Sequence, residues 1–241
     1  MNQRAKATSG TCIYAIGDIH GRPDLLRALH AKIQVDATHR HVSRRVVVYL
    51  GDYIDRGDDS RRVIDMLLDE PLEGFERIHL KGNHEDSLLR FLFNPSSDPG
   101  WLYYGAEATL YSYGVQPPLP NCGMKEFNRV RREFAENMPE RHRQFLIDLP
   151  YAYSEGDYFF VHAGVRPGIP LERQTPDDML WIRDEFLLSS ADFGKVVVHG
   201  HNITEQPESH PNRIGVDTGA CFTGRLSCVV LHGPDRTFLH S

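Results

Sequence analysis

The sequence is poor in the features that would commit it to several common functions. No apolar run among its 241 residues approaches the length needed to cross a bilayer. Positive charge is not in excess: 27 Lys and Arg face 33 Asp and Glu, for a formal net charge of -6. That argues against recognition of nucleic acid by an overall basic surface and leaves open only a local patch. Cysteine is scarce, and Cys12, Cys122, Cys221 and Cys228 form neither a C-x-x-C pair nor a dense framework. A reduced, cytoplasmic setting is expected, with the four thiols as small buried apolar groups. None of them opens a C-x5-R anion loop, since Cys221 and Arg225 stand too close. The G-x-x-x-x-G-K-[ST] phosphate loop and the G-x-S-x-G nucleophile elbow are both missing. The polar start MNQRAKATSG has no apolar segment, so no secretory leader is expected. Internal repeats and low-complexity tracts are absent as well.

What is present is a series of short apolar runs that end in polar turns. Thr11–Ile16 leads into Gly-Asp-Ile-His-Gly, and 45–50 into Gly-Asp-Tyr-Ile-Asp-Arg-Gly. Residues 77–80 lead through Lys81 into Gly-Asn-His-Glu, Tyr158–Val161 into His-Ala-Gly, and 196–198 into His-Gly-His-Asn. Runs of this length rich in Val and Ile predict buried strands. Helical spacing of Leu25, Leu26, Leu29 and Ile33 predicts a helix over 23–34, with Pro23 suited to its first turn. Ser60–Asp69 places Val63, Ile64, Leu67 and Leu68 on one face behind a capping Ser60. The order β-α-β-α-β indicates an α/β sheet covered by helices, whose strand ends hold the site. The segments 212–216, 226–231 and 237–240 read as further strands, implying a mixed or second sheet. One domain over residues 1–241 is expected, interrupted by an insertion at about 94–150. That insertion carries proline, a charged helical stretch at 125–143, and the aromatics Trp101, Tyr103, Tyr104, Tyr111 and Tyr113. It is expected to fold over or beside the site and to touch only what surrounds the reacting group. Its aromatic cluster either stacks a base or packs the insertion onto the core.

The residues at the strand ends are the oxygen and nitrogen donors that suit Mn, Fe or Zn, with thiolate absent. Asp18 and His20, two apart at a strand end, share a face. Asp52 supplies a carboxylate able to bridge two cations, and Asn83, His162 and His201 add neutral donors from three further strand ends. A lone Asp or His in such a turn is ordinarily a capping residue. Five strand ends converging on one sheet edge make coincidence a poor explanation. Two ions so held can deprotonate a water and neutralise phosphoryl oxygens.

These motifs, GDIHG, GDYIDRG, GNHE, VHAG and GH followed by VDTGA, resemble the phosphoprotein phosphatase branch of the calcineurin-like metallophosphoesterases. The resemblance runs from about Ile13 to Val230 and is thin across the insertion. It implies two mixed β-sheets packed as a sandwich flanked by helices. It also implies two divalent ions, Mn before Fe or Zn, with Asp18 and His20 on the first, Asp52 bridging, and Asn83, His162 and His201 on the second. His84 is then the acid that protonates the leaving oxygen, with Asp55 orienting it, and Arg56, Arg183 and Asn83 contact the phosphate. Chemistry supports these roles: an alkoxide leaves poorly without an acid, and a guanidinium fork matches phosphate oxygens. For Arg183 the alternative is a surface salt bridge with acidic neighbours such as Asp184 or Glu185.

Three positions depart from the pattern: Lys81 before GNHE, Asn202 after His201, and His199. The last could support the site from behind or be a core histidine, and the second reading is preferred. His39, His41, His79, His142, His210 and His232 have no motif around them and read as surface or packing residues. The leading substrate expectation is a phosphoserine or phosphothreonine protein or peptide, with phosphotyrosine a further candidate. The alternative is a dinucleoside polyphosphate or other small nucleotide, and an idle phosphoprotein-binding scaffold is disfavoured because no ligand is lost. Neither nucleic acid nor membrane is expected as a partner.

Overall fold

The computed structural model describes residues 5–94, 100–119 and 122–241. The first four residues of the polar start, and residues 95–99 and 120–121 of the insertion, lie outside them. The chain first alternates: β1 (Thr11–Ile16), α1 (Pro23–Thr38), β2 (Arg44–Tyr49), α2 (Ser60–Asp69), β3 (Glu76–His79) and α3 (Asn83–Phe93). A 3-10 turn at Gly100–Tyr103 precedes α4 (Ala106–Ser112), α5 (Met124–Asn137) and α6 (Glu140–Asp148). Next come β4 (Ala152–Glu155), β5 (Tyr158–Val161), α7 (Pro176–Trp181) and α8 (Asp184–Leu187). The remainder is β6 (Val196–His199), β7 (Glu208–Ser209), β8 (Arg213–Gly215), α9 (Ala220–Thr223), β9 (Ser227–His232) and β10 (Asp235–His240).

The strands form two five-stranded mixed sheets, ordered β10-β9-β1-β2-β3 and β4-β5-β6-β8-β7. In the first, β1, β2 and β3 are parallel while β9 and β10 run against them. In the second, β5, β6 and β8 are parallel between antiparallel β4 and β7. Side-chain alternation then builds the layers. Ile13, Ala15, Val46, Val48, Val229 and Leu231 face Tyr158, Phe160, Val198 and Ile214 across the space between the sheets. The opposite face of the first sheet, with Tyr14, Ile16, Val47 and Tyr49, packs on the helices through Leu26, Ile64, Leu110 and Phe134. On the second sheet, Phe159, Val161 and Val197 lie under Met179, Ile182 and Phe186 of the α7–α8 region. Strands buried on both faces explain why the sequence showed continuous apolar runs instead of alternation. Each fully buried Val, Ile or Leu contributes about 1.5–3 kcal/mol.

Several boundaries differ from the sequence expectation. The first helix runs a turn past residue 34, because Ala37 is also buried on its core face. The charged stretch 125–143 divides into α5 and α6 at Met138–Pro139, where Met138 is extended, as a residue before proline prefers. β4 went unread because it is a half-exposed edge strand without an apolar run, and β7 has only two residues. Cys12 and Cys228 are buried thiols as expected, but Cys122 and Cys221 are only half-buried, and all four are free. No helix among the described residues is long and apolar enough to cross a membrane.

Candidate dinuclear metal centre

The turns after the parallel strands of both sheets meet at one edge, and Asp52 lies at their centre. Its Oδ2 is 3.4 Å from His20 Nε2 and 3.8 Å from His84 Nε2, while Oδ1 is 3.5 Å from His162 Nε2. Two buried triads, His20–Asp52–His84 and Asp52–His162–His201, thus share one carboxylate, the donor atoms of each within 4.8 Å of one another. Asn83 Oδ1 and His201 Nδ1 stand 2.8 and 3.1 Å from His162 Nε2. Asp18 joins through both carboxylate oxygens, each accepting from the His201 backbone N–H at 3.1 Å. The six ligand candidates read from the sequence are therefore brought together.

Backbone carbonyls set the histidine tautomers. His20 Nδ1 lies 2.7 Å from Ile54 O and His162 Nδ1 2.9 Å from Leu50 O. A carbonyl only accepts, so each Nδ1 carries the proton and each Nε2 presents a lone pair to the centre. Burial lowers the pKa of His20, and it lowers that of His162 to about 3, so both rings are neutral. The carboxyls behave in the opposite sense: burial first, then neighbouring carboxylates, raises Asp18 and Asp52. Neutral nitrogen donors and buried carboxylates facing one another fit divalent cations, and the all N/O donor set suits Mn, Fe or Zn.

The backbone is built tightly around these groups. His20, Asp52, Asp55, Arg56 and His201 all have positive φ, between 44° and 71°, and no other non-glycine described residue does. Left-handed backbone costs a non-glycine residue roughly 1–2 kcal/mol, so the strain is gathered in the site. Glycine is required at two close approaches: a Cβ on Gly82 would lie 2.2 Å from Asp52 Oδ1, and one on Gly200 2.1 Å from Asp18 Oδ1. Glu85, in the GNHE motif but given no role from the sequence, holds the turn after β2. Its buried carboxylate accepts from the backbone N–H of Asp52, Tyr53 and Gly82 at 2.8–2.9 Å.

His84 and Asp55 are joined as the resemblance implies, with His84 Nδ1 2.7 Å from Asp55 Oδ2. His84 Nε2 is buried and has no hydrogen-bond partner. Burial, then the Arg56 charge, pushes the His84 imidazole down to about 3. Burial raises the Asp55 carboxyl to about 7 against the pull of its hydrogen-bond donors. Two of those donors were not assigned to it from the sequence. Trp101 Nε1 donates to Oδ2 over 2.8 Å and Thr109 Oγ1 to Oδ1 over 2.5 Å. Trp101 is therefore no base-stacking surface: it is 2 % exposed and packs against Phe91 and Phe134. The insertion, expected to touch only the surroundings of the reacting group, reaches the His84–Asp55 pair itself. Tyr113 is likewise buried, its hydroxyl 2.8 Å from His142 Nδ1.

Arg56 is exposed at the mouth, with Nη1 2.9 Å from His20 Nε2 and its guanidinium 5.9 Å from the Phe222 ring centroid. Arg183 donates to Asn202 Oδ1 over 2.7 Å. Its charge reaches His162 and His201, where it helps to lower both, while Glu185 pairs with Arg166 instead. The rim also carries Tyr104, 6.2 Å from His84 and 6.0 Å from Trp181, which in turn is 6.2 Å from His201. Tyr104 is 45 % and Phe222 70 % exposed. Phe222 was missed because an aromatic in a Gly-rich turn has no periodicity to mark it. His199 is a core histidine: its ring stands edge-on to Phe186, and Nδ1 donates to Gly200 O over 3.1 Å.

Comparison with known proteins agrees with this geometry. The family model described as calcineurin-like phosphoesterase matches residues 13–224. The bis(5'-nucleosyl)-tetraphosphatase PrpE [asymmetrical] of Geobacillus thermodenitrificans is 27 % identical, covering 92 % of this chain and 90 % of its own. Among solved structures, a proposed diadenosine tetraphosphatase superposes with a TM-score of 0.62 at 19 % identity, over 99 % of both chains. The cold-active protein-tyrosine phosphatase of a psychrophilic Shewanella superposes at 0.55 and 16 % identity, over 97 % of this chain and 83 % of the other. At such identities the two structures speak for the fold alone.

Proposed function

The chain belongs to the calcineurin-like phosphoesterase family, and we propose that within it this protein hydrolyses a dinucleoside polyphosphate. The observation that carries the reading is the nearly end-to-end match to relatives named as bis(5'-nucleosyl)-tetraphosphatases. The rim supports it. Exposed Phe222 offers a flat apolar surface beside the Arg56 guanidinium, and Tyr104 offers another beside Trp181. That pairing suits a base joined to a phosphate chain. The phosphopeptide expected first from the sequence is the second reading, because the protein phosphatase named above is similar in fold at only 16 % identity.

Asp18 and His20 would hold one metal ion, Asn83, His162 and His201 the other, and Asp52 is placed to serve both. Divalent ions held there, Mn, Fe or Zn, would supply Lewis acidity toward phosphoryl oxygens and toward the attacking water. Arg56 and Arg183 grip non-bridging oxygens of the phosphate chain, and Asn83 contributes a further polar contact. To act as the acid His84 must first take up a proton at Nε2. The imidazolium then gives that proton to the leaving oxygen as the P–O bond breaks, with the Asp55 carboxylate holding Nδ1–H and offsetting the charge. The test is a side-by-side assay of the Mn-supplemented protein on diadenosine tetraphosphate, phosphoserine peptides and phosphotyrosine peptides. The nucleotide is expected to lead in kcat/KM by ~10² or more, a gap typical of sites built around one substrate's polar groups. Preference for a phosphopeptide would reverse the order of the two readings.

A further inference from the structure

The turn that carries Asp55 and Arg56 does not hold itself in place. Both residues have positive φ, 71° and 68°, and besides Ser60 of α2 the groups that satisfy them come from the inserted segment. The Arg56 backbone N–H donates to Gly105 O over 2.9 Å. The Asp55 backbone N–H donates to Thr109 Oγ1 at 2.9 Å and Ser60 Oγ at 3.0 Å. The same Thr109 hydroxyl donates its proton back to Asp55 Oδ1, while Trp101 Nε1–H and His84 Nδ1–H share Oδ2. Asp55, Thr109, Trp101 and His84 are all at most 2 % exposed. Asp55 thus receives three side-chain donors and is left with one orientation, and only His84 among the three reaches the metal centre.

We infer that Trp101 and Thr109 are positioning residues for catalysis, fixing the carboxylate of Asp55 so that His84 presents Nε2 to the leaving oxygen. Neither touches the substrate. Packing alone would not need this arrangement, since an indole between Phe91 and Phe134 does not require its N–H to end on the carboxylate behind His84. Without these donors the carboxylate turns, and the imidazole loses its fixed tautomer and direction. The inference rests on the reading of His84 as the proton donor, which the experiment tests separately.

The experiment measures kcat and KM for phosphate monoesters of rising leaving-group pKa, from p-nitrophenyl to alkyl phosphate, in Mn-loaded protein. The variants are His84→Asn, Trp101→Phe, Thr109→Val, Thr109→Ser, and Thr109→Val combined with His84→Asn. Trp101→Phe and Thr109→Val are expected to lower kcat about tenfold on the alkyl ester, well below the ~10²–10⁴ of losing the acid itself. The loss should nearly vanish on the nitrophenyl ester, with KM and metal content unchanged. Thr109→Ser, which keeps the hydroxyl, should restore the rate. Adding Thr109→Val to His84→Asn should cost nothing further, because the group being positioned is already gone. Equal losses on every ester, or full additivity with His84→Asn, would overturn the positioning role. A His84→Asn variant without leaving-group dependence would remove the proton-donor reading and this inference with it. Should Trp101→Phe fail to fold, the threonine series decides alone.

Discussion

His162 Nε2 stands 2.8 Å from Asn83 Oδ1, and both atoms are acceptors. Two lone pairs held that close in a buried site call for a cation. Chelation is therefore expected to abolish activity, and added Mn or a similar divalent ion to restore it. Asp52→Asn should be the most damaging ligand change, because one carboxylate serves both triads. Metal analysis should show stoichiometry falling from about two ions toward one or none in that variant. Two retained ions with full activity would remove the bridging role.

The nature of the leaving group should separate two chemistries at His84. An alkoxide needs protonation, whereas a nucleoside polyphosphate leaves as a far weaker base. His84→Asn should lower kcat on an alkyl phosphate by about 10²–10⁴, and less on diadenosine tetraphosphate. Equal losses on the two substrates would argue that the imidazole acts on phosphate binding instead.

Exposed aromatics at the rim should affect nucleotides selectively. A stacked base is worth ~1–3 kcal/mol, so Phe222→Ala or Tyr104→Ala should raise KM for the dinucleoside polyphosphate about 5- to 100-fold. Turnover of p-nitrophenyl phosphate should change little. If both substrates suffer alike, the rings shape the site and do not bind a base.

Stability should fall as the solution is acidified. Burial pushes His30 and His79 each down to about 4, where His30 Nε2 accepts from the Tyr49 hydroxyl and His79 stacks on the Tyr49 ring. Their folded-state values lie below the unfolded value near 6.5, so the unfolded chain takes up protons first. The stabilisation is complete above about pH 6.5 and declines toward pH 4, at about 1.4 kcal/mol per histidine per pH unit. Denaturant melts between pH 7.5 and 5 should show the loss, and His79→Phe should reduce its slope. A flat profile would contradict the assignment.

The site was legible in the sequence to an unusual depth because its donors sit at fixed offsets from strand ends. Asp18, His20, Asp52, Asn83, His162 and His201 each follow an apolar run that had to be a strand, and topology carried them to one place. The supports were harder to read. Glu85 works through its carboxylate on three backbone N–H groups, and nothing in a sequence marks which amides a buried acid will meet. Trp101 and Thr109 lie 46 and 54 residues from Asp55, one in a 3-10 turn and the other in α4, and nothing in those short stretches says what their polar atoms face. The break at Pro139 was visible in composition, yet the charge pattern on either side still read as one helix.

Asp18, His20, Asp52 and Asn83 extend from the first sheet, whereas His162 and His201 extend from the second, and His162 Nδ1 already reaches across to Leu50 O. A metal pair coordinated by both sets is also a cross-link between the two halves of the sandwich, in a chain whose four cysteines form no disulfide. It would tie Asp18 to His201, 183 residues apart, closing a loop that spans most of the sequence. Long closures remove the most freedom from an unfolded chain. Catalysis and mechanical integrity would then depend on the same ions, and removing the metal would loosen the joint between the sheets as it silenced the site.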